Sequence, residues 1–202
     1  MRTTPVQQRG AERITHLLDA AAELIDDQGI DGLTTTAVAA RSGSSVGVVY
    51  RYFPNIQALL RGLGARNHEE YRKRAVTAVE NTPERWLDAP VILIDEYVEM
   101  MRTVPGFRAV RFGGIIDERF MLPGETVNHR IAREFAKLLS NRYGIPLTDE
   151  FNFDVEVLVE CAEILCRRAF HDSKDGDPRF IERARQLPQE ILGKYDLAHA
   201  RA

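Results

Sequence analysis

Residues 33–60 read LTTTAVAARSGSSVGVVYRYFPNIQALL, and their spacing decides the architecture expected of the chain. Thr34 or Thr35 can cap a short helix whose inward residues are Val38 and Ala39, and Ser42-Gly43 ends it after about two turns. Ser44 or Ser45 caps the next helix, in which Val46, Val49, Tyr50 and Phe53 share a face until Pro54 interrupts. Between them Gly43 supplies the tolerance of positive φ that a tight turn requires. Two short helices joined by such a turn form a helix-turn-helix, whose second helix is slim enough to enter the major groove of DNA. Its groove-facing start must then be short, and Ser45, Val46, Gly47 and Val48 all are. Tyr50 and Tyr52 carry hydroxyls that reach phosphate, Arg51 can meet phosphate or a guanine edge, and Val46 and Val48 can touch a thymine methyl.

The charge around this stretch agrees. From Gly32 to His68 there are four arginines (Arg41, Arg51, Arg61, Arg66) and no Asp or Glu, in a chain of 202 residues whose 27 basic and 30 acidic side chains sum to −3. An acid-free segment in a weakly acidic protein can face a polyanion while the rest stays solvated. With 44% hydrophobic residues, the composition excludes a disordered tail, a collagen-like fibre and a histone-like basic protein. Cys161 and Cys166 have no CxxC partner, so neither a disulfide scaffold nor a zinc site is expected, and a reducing compartment fits. The apolar run 89–94 is far shorter than the ~18 residues of a membrane span, and residues 1–10 lack a signal-peptide core. A soluble, cytoplasmic protein without membrane contact is expected.

Outward from the motif, the periodicity is helical almost throughout. Ile14, Leu17, Leu18, Ala21, Leu24 and Ile25 give an amphipathic first helix stopping at Gln28-Gly29. A helix from near Asn55 can run to Asn81, long enough to join a head to a body. Further helices are expected at 89–103, 107–118, 125–142, 149–171 and 178–196 between prolines. Val91-Ile92-Leu93-Ile94 can read as a strand, but Tyr97, Val98 and Met101 continue the helical spacing. The expectation is an all-α protein of about nine helices: a helix-turn-helix domain over residues 1–55 and a larger helical domain over 56–202. Arg2 and Arg9 lie in a polar start that reads as a disordered terminus or as an arm for the minor groove.

The run 33–60 resembles the DNA-binding domain of the TetR (tetracycline repressor) family. The elements that carry the likeness are Thr34-Thr35, Ser42-Gly43, Gly47, Val49-Tyr50, Tyr52-Phe53 and Leu59-Leu60, within Arg13 to Leu63. The resemblance implies DNA contacts at Thr35 and Thr36 and at Ser45, Val46, Gly47, Val48, Tyr50, Arg51 and Tyr52. Two positions depart from it: Ile56 stands where a phosphate-contacting lysine is common, and Ser42 where alanine is. It also implies a ligand-responsive regulator, a repressor by preference, that binds a palindromic operator in double-stranded DNA as a homodimer and is released by a small apolar or aromatic effector.

The remainder supplies candidates for those roles. Trp86, Tyr97, Met100, Met101, Phe107, Phe112, Phe120 and Met121 gather large soft side chains in one third of the chain, as a pocket lining or as plain core. His129, Arg108, Arg111 and Asp117 could orient a ligand or lie on a solvated face. From Phe151 to Ala169 one apolar stripe reads Phe151, Val155, Leu158, Ala162, Leu165 and Ala169, and a second reads Phe153, Val157, Cys161 and Ile164. A helix with two stripes has two partners. A dimer interface is therefore expected around Leu158, Cys161, Ala162 and Leu165, completed by Ala184, Leu187 and Ile191 of the last helix. Cys161, set in an apolar stripe, is expected to be a buried, inert thiol.

No cofactor, metal site or enzymatic activity is expected. His16, His68, His129, His171 and His199 show no metal spacing, and no Gly-rich phosphate loop or GxSxG occurs. Asp172, Asp175 and Asp177 around Gly176 read as an interhelical turn rather than a cation loop. The alternative is an all-helical small-molecule-binding or scaffold protein without affinity for DNA.

Overall fold

The computed structural model describes residues 5–81, 85–111 and 126–195. Among the sequence candidates, Arg2, Phe112, Asp117, Phe120, Met121 and His199 lie outside the described residues. The chain runs α1 (Pro5–Gln28), a 3-10 turn (Ile30–Gly32), α2 (Thr35–Arg41), α3 (Val46–Tyr52), α4 (Ile56–Glu80), α5 (Asp88–Thr103), α6 (Phe107–Val110), α7 (Val127–Tyr143), α8 (Asp149–Ala169), α9 (Pro178–Leu192) and a closing 3-10 turn (Gly193–Tyr195). There is no strand among the described residues; the apolar run 91–94 lies within α5, as its continued helical spacing demands.

The contacts divide the chain into two compact units, residues 1–68 with 104–117 and residues 69–103 with 118–202. The expected boundary after residue 55 falls just ahead of α4, whose first turns pack into the first unit. Arg9 lies on α1, so the polar start that reads as a disordered terminus or as an arm is helical from Pro5 onward.

In the first unit α1 buries Leu17, Leu18, Ala21, Leu24 and Ile25 against Val38 and Ala39 of α2, Val49 of α3 and Leu59, Leu60 and Leu63 of α4. Ile14, expected on the same face, is exposed. Helix α1 stops where Gly29 turns to φ 74°. The segment 104–111 returns to this core. Gly106 takes φ 70°, and an added Cβ there would meet the Ala22 Cα and carbonyl oxygen at 3.1 Å. Its amide donates to Asp26 Oδ1 at 3.1 Å. The helix expected over 107–118 stops at Val110, because Arg111 leaves the helical region at φ 42°. The buried Asn67 donates to the Arg111 carbonyl at 2.9 Å.

The second unit is built on α8, which packs against α7 and α9, while α9 also packs on α5. Local chemistry starts each helix. Thr126 accepts from the His129 amide, Thr148 from that of Phe151 and Asp177 from that of Arg179, and Pro178 follows Asp177 at a position where its missing N–H costs nothing. Phe151, Val155, Leu158, Ala162 and Ala169 of α8 and Ile181, Ala184, Leu187 and Leu192 of α9 are buried, in two helices that pack on each other. Tyr71, near the middle of α4, donates to the Leu93 carbonyl at 2.8 Å and meets Tyr97 and Phe135 edge-on at 5.9 and 5.6 Å.

Candidate functional site

The helix-turn-helix is set by its caps. Thr34, rather than Thr35, caps α2 by accepting from the Ala37 amide at 3.1 Å, and Ser45 caps α3 by accepting from the Val48 amide at 3.3 Å. Gly43 makes the turn at φ 62°. With Val49 fully buried, helical geometry puts Gly47 and Arg51 on the side away from it; Val46 and Tyr50, expected from the spacing to share its inward face, are exposed too, Tyr50 by 51%. Thr36 and Ser45 are exposed as well, while Thr35, Val48 and Tyr52 are half-buried. The Thr35 hydroxyl donates to the Tyr50 hydroxyl at 3.3 Å, joining α2 to α3 across this face. The surface is short-chained near the start of α3 and carries hydroxyls and a guanidinium further along. The nine sequence candidates thus lie together on α2 and α3.

The charge of the motif differs from the linear reading. Arg41 is held by Glu23 at 3.2 Å and Asp27 at 2.9 Å, both on α1, and its guanidinium is raised further above its usual range by those hydrogen bonds. Arg66 is held by Asp19 at 2.5 Å. The acid-free stretch is therefore not acid-free in space. Arg51 is exposed and makes no ion pair among the described residues. Arg13 of α1, which sequence reasoning passed over, donates to Ser44 Oγ at 3.4 Å; a contact across 31 positions leaves no local signal.

The candidates for a ligand pocket do not come together as one set. Trp86, Tyr97, Met100 and Met101 are buried in the second unit, where Tyr71 and Phe135, missed from the sequence, join Tyr97. Burial pushes the Tyr71 hydroxyl well above the usual tyrosine range. Phe107 is buried in the first unit instead, because Gly106 docks on α1. His129 belongs elsewhere again. Its Nδ1 lies 2.9 Å from Glu156 Oε1, and it lines an open groove of about 380 Å³ between α7 and α8 with Ala132, Arg133, Lys137, Leu147 and Phe153.

Of the residues expected at a dimer interface, Leu158, Ala162, Ala184 and Leu187 are buried within the protomer itself, in helices α8 and α9 that pack on each other. Cys161, Leu165 and Ile191 are half-buried. The second stripe stays open, with Phe153 63% and Ile164 52% exposed. Of the cysteines it is Cys166 that is buried, its thiol pushed up to about 12 by desolvation, while Cys161 keeps some surface. Among the described residues no cluster of three His, Cys, Asp or Glu could hold a metal. Asp177 pairs with Arg179, and Asp172 with Arg168 and His171. No helix among the described residues is long and apolar enough to cross a membrane.

Two family models match the chain: "Bacterial regulatory proteins, tetR family" over residues 17–63 and "Tetracyclin repressor-like, C-terminal domain" over residues 84–193. Among solved structures, a TetR-family transcriptional regulator from Streptomyces coelicolor is 36% identical, with a TM-score of 0.77 over 91% of this chain and 99% of that one. A TetR regulator from Rhodococcus sp. RHA1 is 19% identical, with a TM-score of 0.62 over 92% and 97%. The multidrug binding protein EbrR, in complex with malachite green, is 21% identical, with a TM-score of 0.59 over 89% and 98%. A search among curated proteins gives no match. The cap-defined helix-turn-helix, the second, helical unit and these likenesses agree: the chain belongs to the TetR family of transcriptional regulators, which bind DNA and are not enzymes.

Proposed function

We propose that this regulator is a repressor that binds a palindromic operator as a homodimer and lets go when a small apolar or aromatic effector binds. The observation that carries the DNA half is the face of α3. Val46, Gly47, Tyr50 and Arg51 are all exposed around a buried Val49, a composition suited to close approach at one end and to phosphate contact at the other. Thr35, Thr36, Ser45, Val48 and Tyr52 extend that face. Two copies related by a two-fold axis would read half-sites about 34–36 Å apart, or a multiple of that.

The open stripe of α8 supports the dimer: Phe153, Val157, Cys161 and Ile164 run along it, and Leu165 of α8 and Ile191 of α9 are half-buried. The effector is proposed to enter the second unit near Trp86, Tyr97, Met100 and Met101, where Tyr71 and Phe135 extend the aromatic surface. Helix α4 carries residues of both units, so a ligand preferring one conformation of the second unit can change the spacing of the DNA-reading heads. A coupling of roughly 1–3 kcal/mol shifts operator affinity about 5- to 150-fold. A fold relative described with malachite green recommends apolar aromatic dyes as first probes.

The test is a footprint on DNA flanking the coding region, repeated with a panel of such compounds. A symmetric protected site that weakens with one of them supports the reading. A protein that binds its site equally tightly with and without every compound that it demonstrably binds contradicts the switch.

A further inference from the structure

We infer that Arg13 of α1 is a phosphate contact of the recognition motif, holding the DNA backbone beside the end of α3 that approaches the bases. This rests on the DNA-binding reading above. The motif is short of available cations. Arg41 and Arg66 are each paired with carboxylates of α1, Ile56 is apolar, and among the described residues of α2 and α3 Arg51 alone carries a positive charge outside an ion pair.

Arg13 supplies what is lacking. Its Nη1 donates to Ser44 Oγ at 3.4 Å, and Ser44 directly precedes Ser45, the cap of α3. The guanidinium is thereby placed at the end of α3 where Ser45, Val46 and Gly47 are short enough for duplex DNA to come close. One hydrogen bond leaves the other N–H donors of the planar guanidinium for a phosphate, which it can grip with two of them. Arg13 is exposed and makes no ion pair among the described residues, whereas Asp19, Glu23 and Asp27 further along α1 are occupied by Arg66 and Arg41. Arg9, also exposed, lies four residues earlier on the same face and extends the cationic edge.

The test uses the full-length protein and a duplex selected by the wild type from a random-sequence library, with affinity followed by fluorescence anisotropy from 50 to 300 mM KCl. One phosphate contact contributes about 0.9 to the slope of log affinity against log salt. Arg13→Ala is expected to flatten the slope by about one unit per bound protomer. It should weaken binding about tenfold per contact in dilute buffer, to a similar extent on the selected duplex and on an unrelated one. Arg13→Lys keeps the charge and should keep the slope. Ser44→Ala separates a positional role from an electrostatic one: it should loosen binding while leaving the slope unchanged. Melting curves check that each variant is folded.

An unchanged slope and affinity in folded Arg13→Ala overturns the inference, and so does a Ser44→Ala protein that reproduces the whole Arg13→Ala loss. If Arg51→Ala weakens binding while folded Arg13→Ala keeps the wild-type affinity and slope, the inference alone fails. If the wild type selects no duplex at all, the DNA-binding reading fails and takes the inference with it.

Discussion

At the scale of single residues, Gly47 has no role inside the protomer. It sits in an ordinary helical conformation, and an added Cβ would meet only Ser45 Oγ, at 3.9 Å. A glycine within a helix costs about 0.5–1 kcal/mol relative to alanine, so the isolated protein would be more stable without it. What it leaves free is space in front of α3. Gly47→Ala is therefore expected to raise the melting temperature by the equivalent of about 0.5–1 kcal/mol and to weaken operator binding about tenfold, the effect of ~1.4 kcal/mol. A variant more stable and equally tight on DNA would show that position 47 does not face bases. The cysteines give a second expectation. With the Cys166 thiol pushed up to about 12, its thiolate is about one part in ten thousand at pH 8, whereas Cys161 keeps partial exposure. Native protein should take up at most one equivalent of iodoacetamide, at Cys161. Labelling of Cys166 without unfolding would contradict its burial within α8.

At the scale of elements, the caps were legible because capping is local: a hydroxyl three residues ahead of an amide is written in the sequence. Thr34→Ala removes the acceptor of the Ala37 amide and should destabilise the protein by about 1 kcal/mol, measurable by denaturant titration. Asp177 adds a pH signature to α9. Arg179, through its guanidinium and its amide, holds the Asp177 carboxyl down to about 2 from its ordinary 3.8. A folded-state pKa below the unfolded one contributes stability that is complete above about pH 4 and lost as pH falls through about 2. The stability gap between wild type and Asp177→Asn should thus be constant near neutrality and close between those limits; a gap that widens on acidification would reverse the assignment. Other elements were not legible, for physical reasons. Both stripes of α8 are apolar, so periodicity could not say which faced α9. The pairing of Arg41 with Glu23 and Asp27 depends on how α2 lies on α1. The stop of α6 depends on Arg111, a residue type that rarely takes positive φ, and on the distant Asn67.

At the scale of the whole molecule, the proposed dimer turns on a surface that the protomer leaves open. Phe153 and Ile164 are separated by about three helical turns on one side of α8, and both expose more than half their surface, an arrangement that calls for a partner. Replacing both with carboxylates, Phe153→Asp with Ile164→Glu, changes side chains that are mostly exposed in the protomer, so its own stability should change by no more than about 0.5 kcal/mol per site. If the stripe pairs two subunits, buried charge at its centre should prevent association, and sedimentation at micromolar concentration should report a monomer. The consequence for DNA is sharper than a loss of affinity. A monomer holds one half-site, so binding should weaken by about 10²–10⁴-fold through lost avidity. The slope against salt should fall to about half, because half the phosphate contacts are gone. Weak binding at full slope would indicate that both heads still engage and that the dimer forms elsewhere. Unfolding of the variant would mean that the stripe is packed inside the protomer, against the exposure of Phe153 and Ile164.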